Sequence, residues 1–308
     1  MTKNTNQHFL QNNLIVWLCA ILCCALWGSA FPGIKIGYQL FEISGSDTAT
    51  VILFAGCRFT LAGFLTILLG SILSKKVLLP KRTSWNKILC LCMLQTVLQY
   101  LFFYIGLANT SGVKASIINS VNVFVSLLVS CLLFHQEKLS SQKILGCIIG
   151  FAGVVLINMS GMNFELHLTG EGFIFLSTVA YAFSSVYLKK FSSSENPVIL
   201  SGYQFIIGGL IMILAGFFMG GKITVITWGG ILLLIYLALV SAIAYTLWGL
   251  LLKYNPVSKI AVFGFMTPVF GVILSAIFLG EAAQATGLVS LISLILVCVG
   301  ITIVNLRK

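Results

Sequence analysis

Residues 56–70 read GCRFTLAGFLTILLG, and residues 202–216, which lie 146 positions later, read GYQFIIGGLIMILAG. Both stretches are mostly apolar, and three glycines recur in each at a spacing of seven. That spacing keeps one helix face smooth, and small residues allow two helices to approach closely in a membrane. The stretch therefore predicts two related transmembrane helices, one in each half of the chain.

Similar shifts align other parts of the two halves. They pair Phe134 with Phe278, Glu137 with Glu281, Gly153 with Gly300 and Asn158 with Asn305. Small differences between the shifts, 144 to 147 residues, are what short loop insertions produce. The chain is therefore interpreted as two repeats, residues 1–160 and 165–308.

The composition places both repeats in a membrane. Of 308 residues, 59% are hydrophobic and 8% are charged, whereas a soluble domain carries charge on about 25% of its residues. Mean hydropathy is +1.07. These values exclude a soluble enzyme, a secreted domain and a disordered chain.

A membrane-spanning helix needs about 20 predominantly apolar residues. Ten such runs are present: 14–38, 48–70, 85–107, 113–134, 142–159, 170–189, 197–219, 228–251, 257–279 and 285–305. We predict an all-α polytopic membrane protein with ten transmembrane helices. Because each half holds five, an odd number, the second half starts from the opposite side, and the halves are inverted repeats. Secondary transporters commonly have this arrangement.

The basic residues predict the orientation. With the N-terminus in the cytoplasm, 14 of the 18 Lys and Arg residues fall on the inner side, and only Lys114 and Lys222 on the outer side. Basic residues favour the cytoplasmic side of a membrane, so both termini are predicted there. The bases form no face that could follow a phosphate backbone. The bilayer and a small-molecule substrate are the expected partners, nucleic acid is not, and a monomer is expected.

Several kinds of chemistry are missing from the sequence. It holds no GxxxxGK[ST] loop for ATP, no HExxH, and no CxxC pair among its nine cysteines. We expect no catalytic residue, metal or cofactor, and interpret the cysteines as small packing residues. The alternative from another class, a lipid-modifying membrane enzyme, would need an interfacial His, Asp or Cys cluster.

The chain resembles the EamA-type ten-helix exporters of the bacterial drug/metabolite transporter superfamily. The resemblance is carried by Trp27-Gly28-Ser29-Ala30-Phe31, Arg58-Phe59, Asn255-Pro256-Val257-Ser258-Lys259, Pro268, Leu279-Gly280-Glu281 and Gly300. It implies a central cavity among helices one, three, four, six, eight and nine, with Trp27 among its candidate residues. The position paired with Pro268 is Phe124, where such families often have proline.

Polar stripes indicate which helix faces point inward. Asn119, Asn122, Ser126 and Ser130 are spaced by three, four and four, so they share one face of the fourth helix. The other substrate-binding candidates follow the same logic on helices three, six and eight: Gln95, Gln99, Tyr181, Tyr245 and Trp248. Since lipid offers such groups no partner, we expect them to face a cavity, or to bond between helices.

Three charged residues remain as candidates. Arg58 lies about ten residues into the second helix, where it either binds a substrate carboxylate or braces neighbouring helices. Glu137 and Glu281 end helices four and nine. Together these features favour a secondary transporter, an exporter of amino acids or similarly small polar metabolites, with drug efflux or nutrient uptake on the same scaffold as alternatives.

The predicted topology can be tested by thiol labelling in a cysteine-less version of the chain. A cysteine introduced near Ser44 should react with an impermeant reagent from outside, and one near Ser192 only from the cytoplasm, since the intervening spans are odd in number. Labelling of the thiol near Ser44 from the cytoplasm, or of the thiol near Ser192 from outside, contradicts the topology.

Overall fold

The computed structural model describes residues 9–109, 115, 118–157, 168–279 and 288–306. Throughout these residues the regular structure is helical, with no β-strand, which confirms the all-α class. We number the helical segments α1 (Asn13–Leu40), α2 (Thr48–Ser74), α3 (Arg82–Leu107), α4 (Ile118–Leu133), α5 (Ser141–Ile157), α6 (Leu168–Ser192), α7 (Pro197–Phe218), α8 (Trp228–Tyr254), α9 (257–279) and α10 (Leu288–Asn305).

Seven of these segments are long and apolar enough to cross a membrane: α1, α2, α3, α6, α7, α8 and α9. Within the described residues, α4, α5 and α10 contribute shorter apolar stretches. Large apolar side chains cover the outside of the bundle, among them Leu73, Phe218 and Trp228, each more than four-fifths exposed. An apolar exterior of this extent requires lipid. The chain is therefore a multi-pass membrane protein, while the count of ten spans stays a prediction.

Polar caps begin several helices. The Asp47 carboxylate accepts hydrogen bonds from the backbone N–H (3.1 Å) and the hydroxyl (2.6 Å) of Thr50 at the start of α2. Asn196 caps α7 by accepting from the N–H of Val198 at 2.9 Å. The first N–H groups of a helix have no intrahelical partner, so these side chains satisfy donors that lipid cannot.

The repeated glycines lie where α2 crosses α7. A Cβ built on Gly56 would lie 2.6 Å from the backbone N of Ile213 and 2.9 Å from the carbonyl O of Gly209. A Cβ on Gly63 would lie 2.6 Å from the carbonyl O of Gly202. Gly56 thus meets Gly209, and Gly63, which follows on α2, meets Gly202, which precedes on α7. The two helices therefore cross in antiparallel directions with their backbones in contact.

A second pair of helices crosses in the same way. On α5, a Cβ on Gly146 would lie 2.7 Å from the carbonyl O of Gly300 on α10. A Cβ on Gly153 would lie 2.7 Å from the carbonyl O of Ser293. The shift of 147 residues carries Gly146 onto Ser293 and Gly153 onto Gly300, so this contact too is antiparallel and self-complementary.

Two buried polar bridges accompany the α2–α7 crossing. From α2, Arg58 Nη2 donates to Ser241 Oγ on α8 at 2.9 Å. From α7, Gln204 Nε2 donates to Gln95 Oε1 on α3 at 3.0 Å, and Gln204 Oε1 accepts from Thr96 Oγ1 at 2.6 Å. The shift of 146 residues carries Arg58 onto Gln204 and Gln95 onto Ser241. Each crossing helix therefore braces the neighbouring helix of the opposite half through corresponding positions.

The glycine crossing should tolerate no added side chain. Gly56→Ala places a methyl group against the backbone of α7, where only a backbone shift can make room, and we expect a stability loss of about 1–3 kcal/mol. Thermal unfolding of the purified protein in detergent measures this loss. Gly45→Ala is the matched control, because a Cβ there meets no atom within 4 Å; equal melting temperatures for the two variants would contradict the crossing.

Candidate functional site

A cavity of about 140 Å³ lies inside the bundle. Its lining comes from α1, α2, α3, α4, α6, α8 and α9, so both halves of the chain contribute. Seven of the nine substrate-binding candidates line it: Trp27, Gln99, Asn119, Asn122, Tyr181, Tyr245 and Trp248. Helix α2 joins the set of six helices that the resemblance implied, because Arg58 also reaches the cavity.

Aromatic rings form one continuous wall of the cavity. The ring of Trp27 lies edge-on to Tyr245 and Trp248, with centroids 5.1 and 4.9 Å apart. The hydroxyl groups of Tyr100 and Tyr245 are 2.6 Å apart, which joins α3 of the first half to α8 of the second. Such a wall offers an apolar surface and electron-rich ring faces, which suit both an apolar side chain and a cation.

Three buried polar atoms of the lining residues have no hydrogen-bond partner among the described residues. They are Nε1 of Trp27, a donor, Oε1 of Gln99, an acceptor, and the hydroxyl oxygen of Ser185. Burying such a group without a partner is costly, and all three atoms belong to residues that line the cavity. Asn119 and Asn122 add amides from α4. In the described part of the chain, no cluster of three His, Cys, Asp or Glu side chains could hold a metal ion.

Gln95 lies outside this lining, although it is spaced four residues from Gln99. Residues Cys92–Leu98 of α3 form a π-helix, which has more residues per turn than an α-helix. The wider turn breaks the register that the α-helical spacing assumes. Gln95 therefore turns towards α7 and accepts a hydrogen bond from Gln204, whereas Gln99 faces the cavity.

Ser126 also lies outside the lining. It follows Asn122 by one turn of α4, or about 6 Å along the helix. At that level the neighbouring Val123 and Leu127 belong to a hydrophobic core, and Ser126 is fully buried with no described partner for its hydroxyl. The polar stripe of α4 therefore reaches the cavity with its two asparagines, while the serine of the next turn is embedded in the core.

Arg58 lines the cavity and is 4% exposed. Its Nε donates to the carbonyl O of Leu237 at 3.3 Å and its Nη2 to Ser241 Oγ at 2.9 Å. Its Cζ lies 5.3 Å from the centroid of the Phe59 ring. Arg58 thus braces α2 against α8, as one sequence interpretation expected, and it also lines the cavity, as the other required.

The arrangement of helices and cavity can be compared with known proteins. The EamA-like transporter family matches residues 14–159 and 168–306. The chain belongs to this family. It is therefore a membrane transporter and not an enzyme, and the resemblance stated from its motifs is confirmed.

Named relatives of this EamA-like transporter agree with the assignment. The uncharacterized transporter YvbV of Bacillus subtilis (strain 168) is 27% identical over 262 residues, 83% of each chain. A protein of Salmonella typhimurium named "Probable amino-acid metabolite efflux pump" is 25% identical over 274 residues, 85% of this chain and 86% of that protein. A solved crystal structure superposes with a TM-score of 0.76 over 94% of this chain and 95% of that one. Its 16% identity shows the fold alone.

Several lining residues of the transporter were not among the site residues predicted from the sequence. Tyr100 and Tyr104 line the cavity from α3, and their spacing of four is the signal that would have found them. Thr267 and Pro268 line it from α9, directly after a 3₁₀ turn at Val262–Phe265. A proline inside a helix removes one backbone donor, so a local change of helix geometry was foreseeable there, although its inward direction was not.

Glu137 lies outside the cavity, at the end of the bundle where α1 begins. It accepts hydrogen bonds from Lys143 Nζ at 2.8 Å, from the Ser258 backbone N–H at 3.1 Å and from the Ser258 hydroxyl. Because Glu137 follows α4 and Ser258 begins α9, the carboxylate joins the two halves. Burial acts to raise the pKa of Glu137, but the bonds from Lys143 and Ser258 hold that pKa below its usual value. Glu281, its predicted counterpart, lies outside the described residues.

A second carboxylate joins the halves at the same end. Glu195, between α6 and α7, accepts from Lys87 Nζ at 2.9 Å and from Ser84 Oγ at 2.9 Å, both at the start of α3. The hydrogen bond and charge of Lys87 lower the pKa of Glu195. Polar contacts therefore join the two halves at this end of the bundle.

The Glu137 contacts should stabilise the protein in a pH-dependent way. A carboxyl whose pKa is lower in the folded state stabilises fully above its unfolded pKa, about 4.3, and this contribution fades as pH falls through the folded pKa. We expect Glu137→Gln to lose about 1–3 kcal/mol at neutral pH and to approach the wild type below about pH 4. Melting temperatures across this range measure the effect. Glu42→Gln is the control, because Glu42 is exposed. If the loss of stability in Glu137→Gln does not change with pH, the carboxylate charge of Glu137 is not its cause.

Proposed function

We propose that this EamA-like transporter is a secondary transporter that exports amino acids or similarly small polar metabolites by alternating access. The observation that carries the proposal is the cavity between the two halves, where Trp27 Nε1 and Gln99 Oε1 are buried without a described partner. A donor and an acceptor on an aromatic wall suit a small zwitterion. The name of the Salmonella relative, an amino-acid metabolite efflux pump, supports the same class of solute and transport out of the cell.

The proposed architecture is ten transmembrane helices in two inverted repeats, residues 1–160 and 165–308. A repeat related by an axis along the membrane normal would bring corresponding helices together in parallel, whereas an axis in the membrane plane brings them together antiparallel. The crossings of α2 with α7 and of α5 with α10 are both antiparallel and self-complementary. The matching bridges from Arg58 and Gln204 support the same relation.

Alternating access requires one end of the bundle to close while the other opens. In the described residues, Glu137 and Glu195 each join the two halves at the end where α1 begins. With 14 of 18 bases assigned to that side, we place it in the cytoplasm. The structure then corresponds to a state held shut towards the cytoplasm, and solute entry from inside requires these contacts to break.

The transporter acts as a monomer in the bacterial cytoplasmic membrane in this proposal. One chain supplies the whole cavity, with α1 to α4 from the first half and α6, α8 and α9 from the second. The sequence carries no nucleotide-binding loop that would make transport ATP-driven. Solute or ion gradients therefore supply the free energy.

Counterflow in proteoliposomes tests the proposal. Purified protein should exchange radiolabelled amino acids from a panel that also contains cationic drugs and sugars, with and without a pH gradient. Exchange of amino acids or other small polar metabolites is expected. Exchange of drugs alone, or no exchange of any solute, contradicts it.

A pair of variants on α4 tests the position of the site. We expect Asn122→Leu to lower counterflow at least about tenfold, because its amide lines the cavity, while leaving thermal stability near that of the wild type. Ser126→Ala is the matched control one turn away; it removes a buried hydroxyl without a described partner and should keep its activity. Normal transport by Asn122→Leu, or equal losses in both variants, would mean that this face of α4 is structural.

A further inference from the structure

Arg58 is a buried cation at the cavity, and its described partners are neutral. Within the part of the chain that the structure describes, it donates to a backbone carbonyl and to the Ser241 hydroxyl and forms no ion pair. A charge within a transmembrane segment is costly to keep, and such residues pair with one another or with backbone carbonyls, as Arg58 does with Leu237. The missing countercharge is the first indication that a bound solute supplies it.

Bracing the helices does not require this charge. Gln204 occupies the corresponding position on α7 and braces α3 through a neutral amide, with bonds of 3.0 Å to Gln95 and 2.6 Å to Thr96. Gln204 is fully buried and is not among the residues that line the cavity, whereas Arg58 is. Both residues thus brace a neighbouring helix. Only Arg58 is charged, and only Arg58 lines the cavity.

Some N–H groups of the Arg58 guanidinium take no part in the bracing contacts. Nε and one Nη2 hydrogen are engaged by α8, while Nη1 has no acceptor among the described residues. Trp27, another lining residue, has a donor, Nε1, without a described acceptor. A carboxylate could accept from the remaining donors of Arg58, since arginine binds planar anions through paired N–H groups.

The remaining lining suits the rest of such a solute. Gln99 Oε1 is an acceptor without a described partner, which could bind an ammonium group, and the ring faces of Tyr245 and Trp248 also attract cations. The volume of about 140 Å³ is close to the roughly 150 Å³ of an engineered cavity that binds benzene. The solute is therefore small.

We propose that Arg58 binds the carboxylate of the transported solute and thereby selects small carboxylate-bearing solutes, amino acids among them, over analogues without a carboxylate. This inference rests on the proposed transport function and adds a specificity-determining residue to it. The bracing contact with Ser241 then serves to hold the guanidinium at the cavity edge.

Direct binding to the purified full-length protein tests the proposal. The probes are three matched pairs of increasing size: alanine and alaninamide, leucine and leucinamide, phenylalanine and phenylalaninamide. For at least one pair the wild type should prefer the acid by about tenfold or more, which corresponds to about 1.4 kcal/mol. If the acid and the amide bind equally well in every pair that binds, Arg58 does not select the carboxylate. This result needs only the wild type, and it does not contradict the proposed transport function.

Variants separate binding from bracing. Arg58→Gln keeps an amide that can brace, as Gln204 does, so we expect it to fold and to lose most of the preference for the acid while binding the amide as the wild type does. Ser241→Ala removes the bracing hydroxyl but keeps the charge; it should lower the melting temperature and retain a preference for the acid. If Arg58→Gln keeps the full preference, Arg58 is structural. If the wild type neither binds any probe nor exchanges any solute in counterflow, the proposed function itself fails.

Discussion

The close crossing of α2 and α7 is the contact on which the rest of the structure depends. Its backbones touch at Gly56 and Gly63, where no side chain could be accommodated. In lipid the association of helices gains little from the hydrophobic effect, so close packing must hold the halves together. The crossing also fixes where Arg58 and Gln204 stand, since each follows a glycine of the contact by two residues. The geometry of the cavity edge thus derives from glycine spacing.

Polar side chains inside the bundle perform two different tasks that burial alone does not distinguish. Gln95 and Gln99 are both largely removed from solvent, yet Gln95 is satisfied by Gln204 while Gln99 keeps an unpaired acceptor at the cavity. A satisfied amide stabilises one packing of two helices. An unsatisfied one is a cost in the empty cavity that a solute can remove. For these two glutamines, pairing therefore separates the bracing residue from the candidate binding residue.

Much of the architecture could be predicted from sequence, because glycine spacing, apolar run length and charge asymmetry are local properties of the chain. The site was predictable only as far as an α-helical register holds. Asn119 and Asn122 face the cavity as their spacing indicates, whereas the π-helix at Cys92–Leu98 turns Gln95 away from it. The depth of the cavity could not be predicted from the sequence either. The spacing of Ser126 does not show that the cavity ends, and the hydrophobic core begins, one turn after Asn122.

In the proposed inverted-repeat architecture, the two halves correspond in their crossings and differ in some of the residues at the cavity. The crossings of α2 with α7 and of α5 with α10 are self-complementary, so each half presents the same kind of surface to the other. A solute, however, is not symmetric, and its recognition requires chemically different groups on the two sides of the cavity. Arg58 against Gln204, and Pro268 of α9 against Phe124 of α4, are such differences, and Arg58 and Pro268 are the members that line the cavity. In the proposed function, substitutions of this kind in one half give the cavity two chemically different sides, which recognition of an asymmetric solute requires.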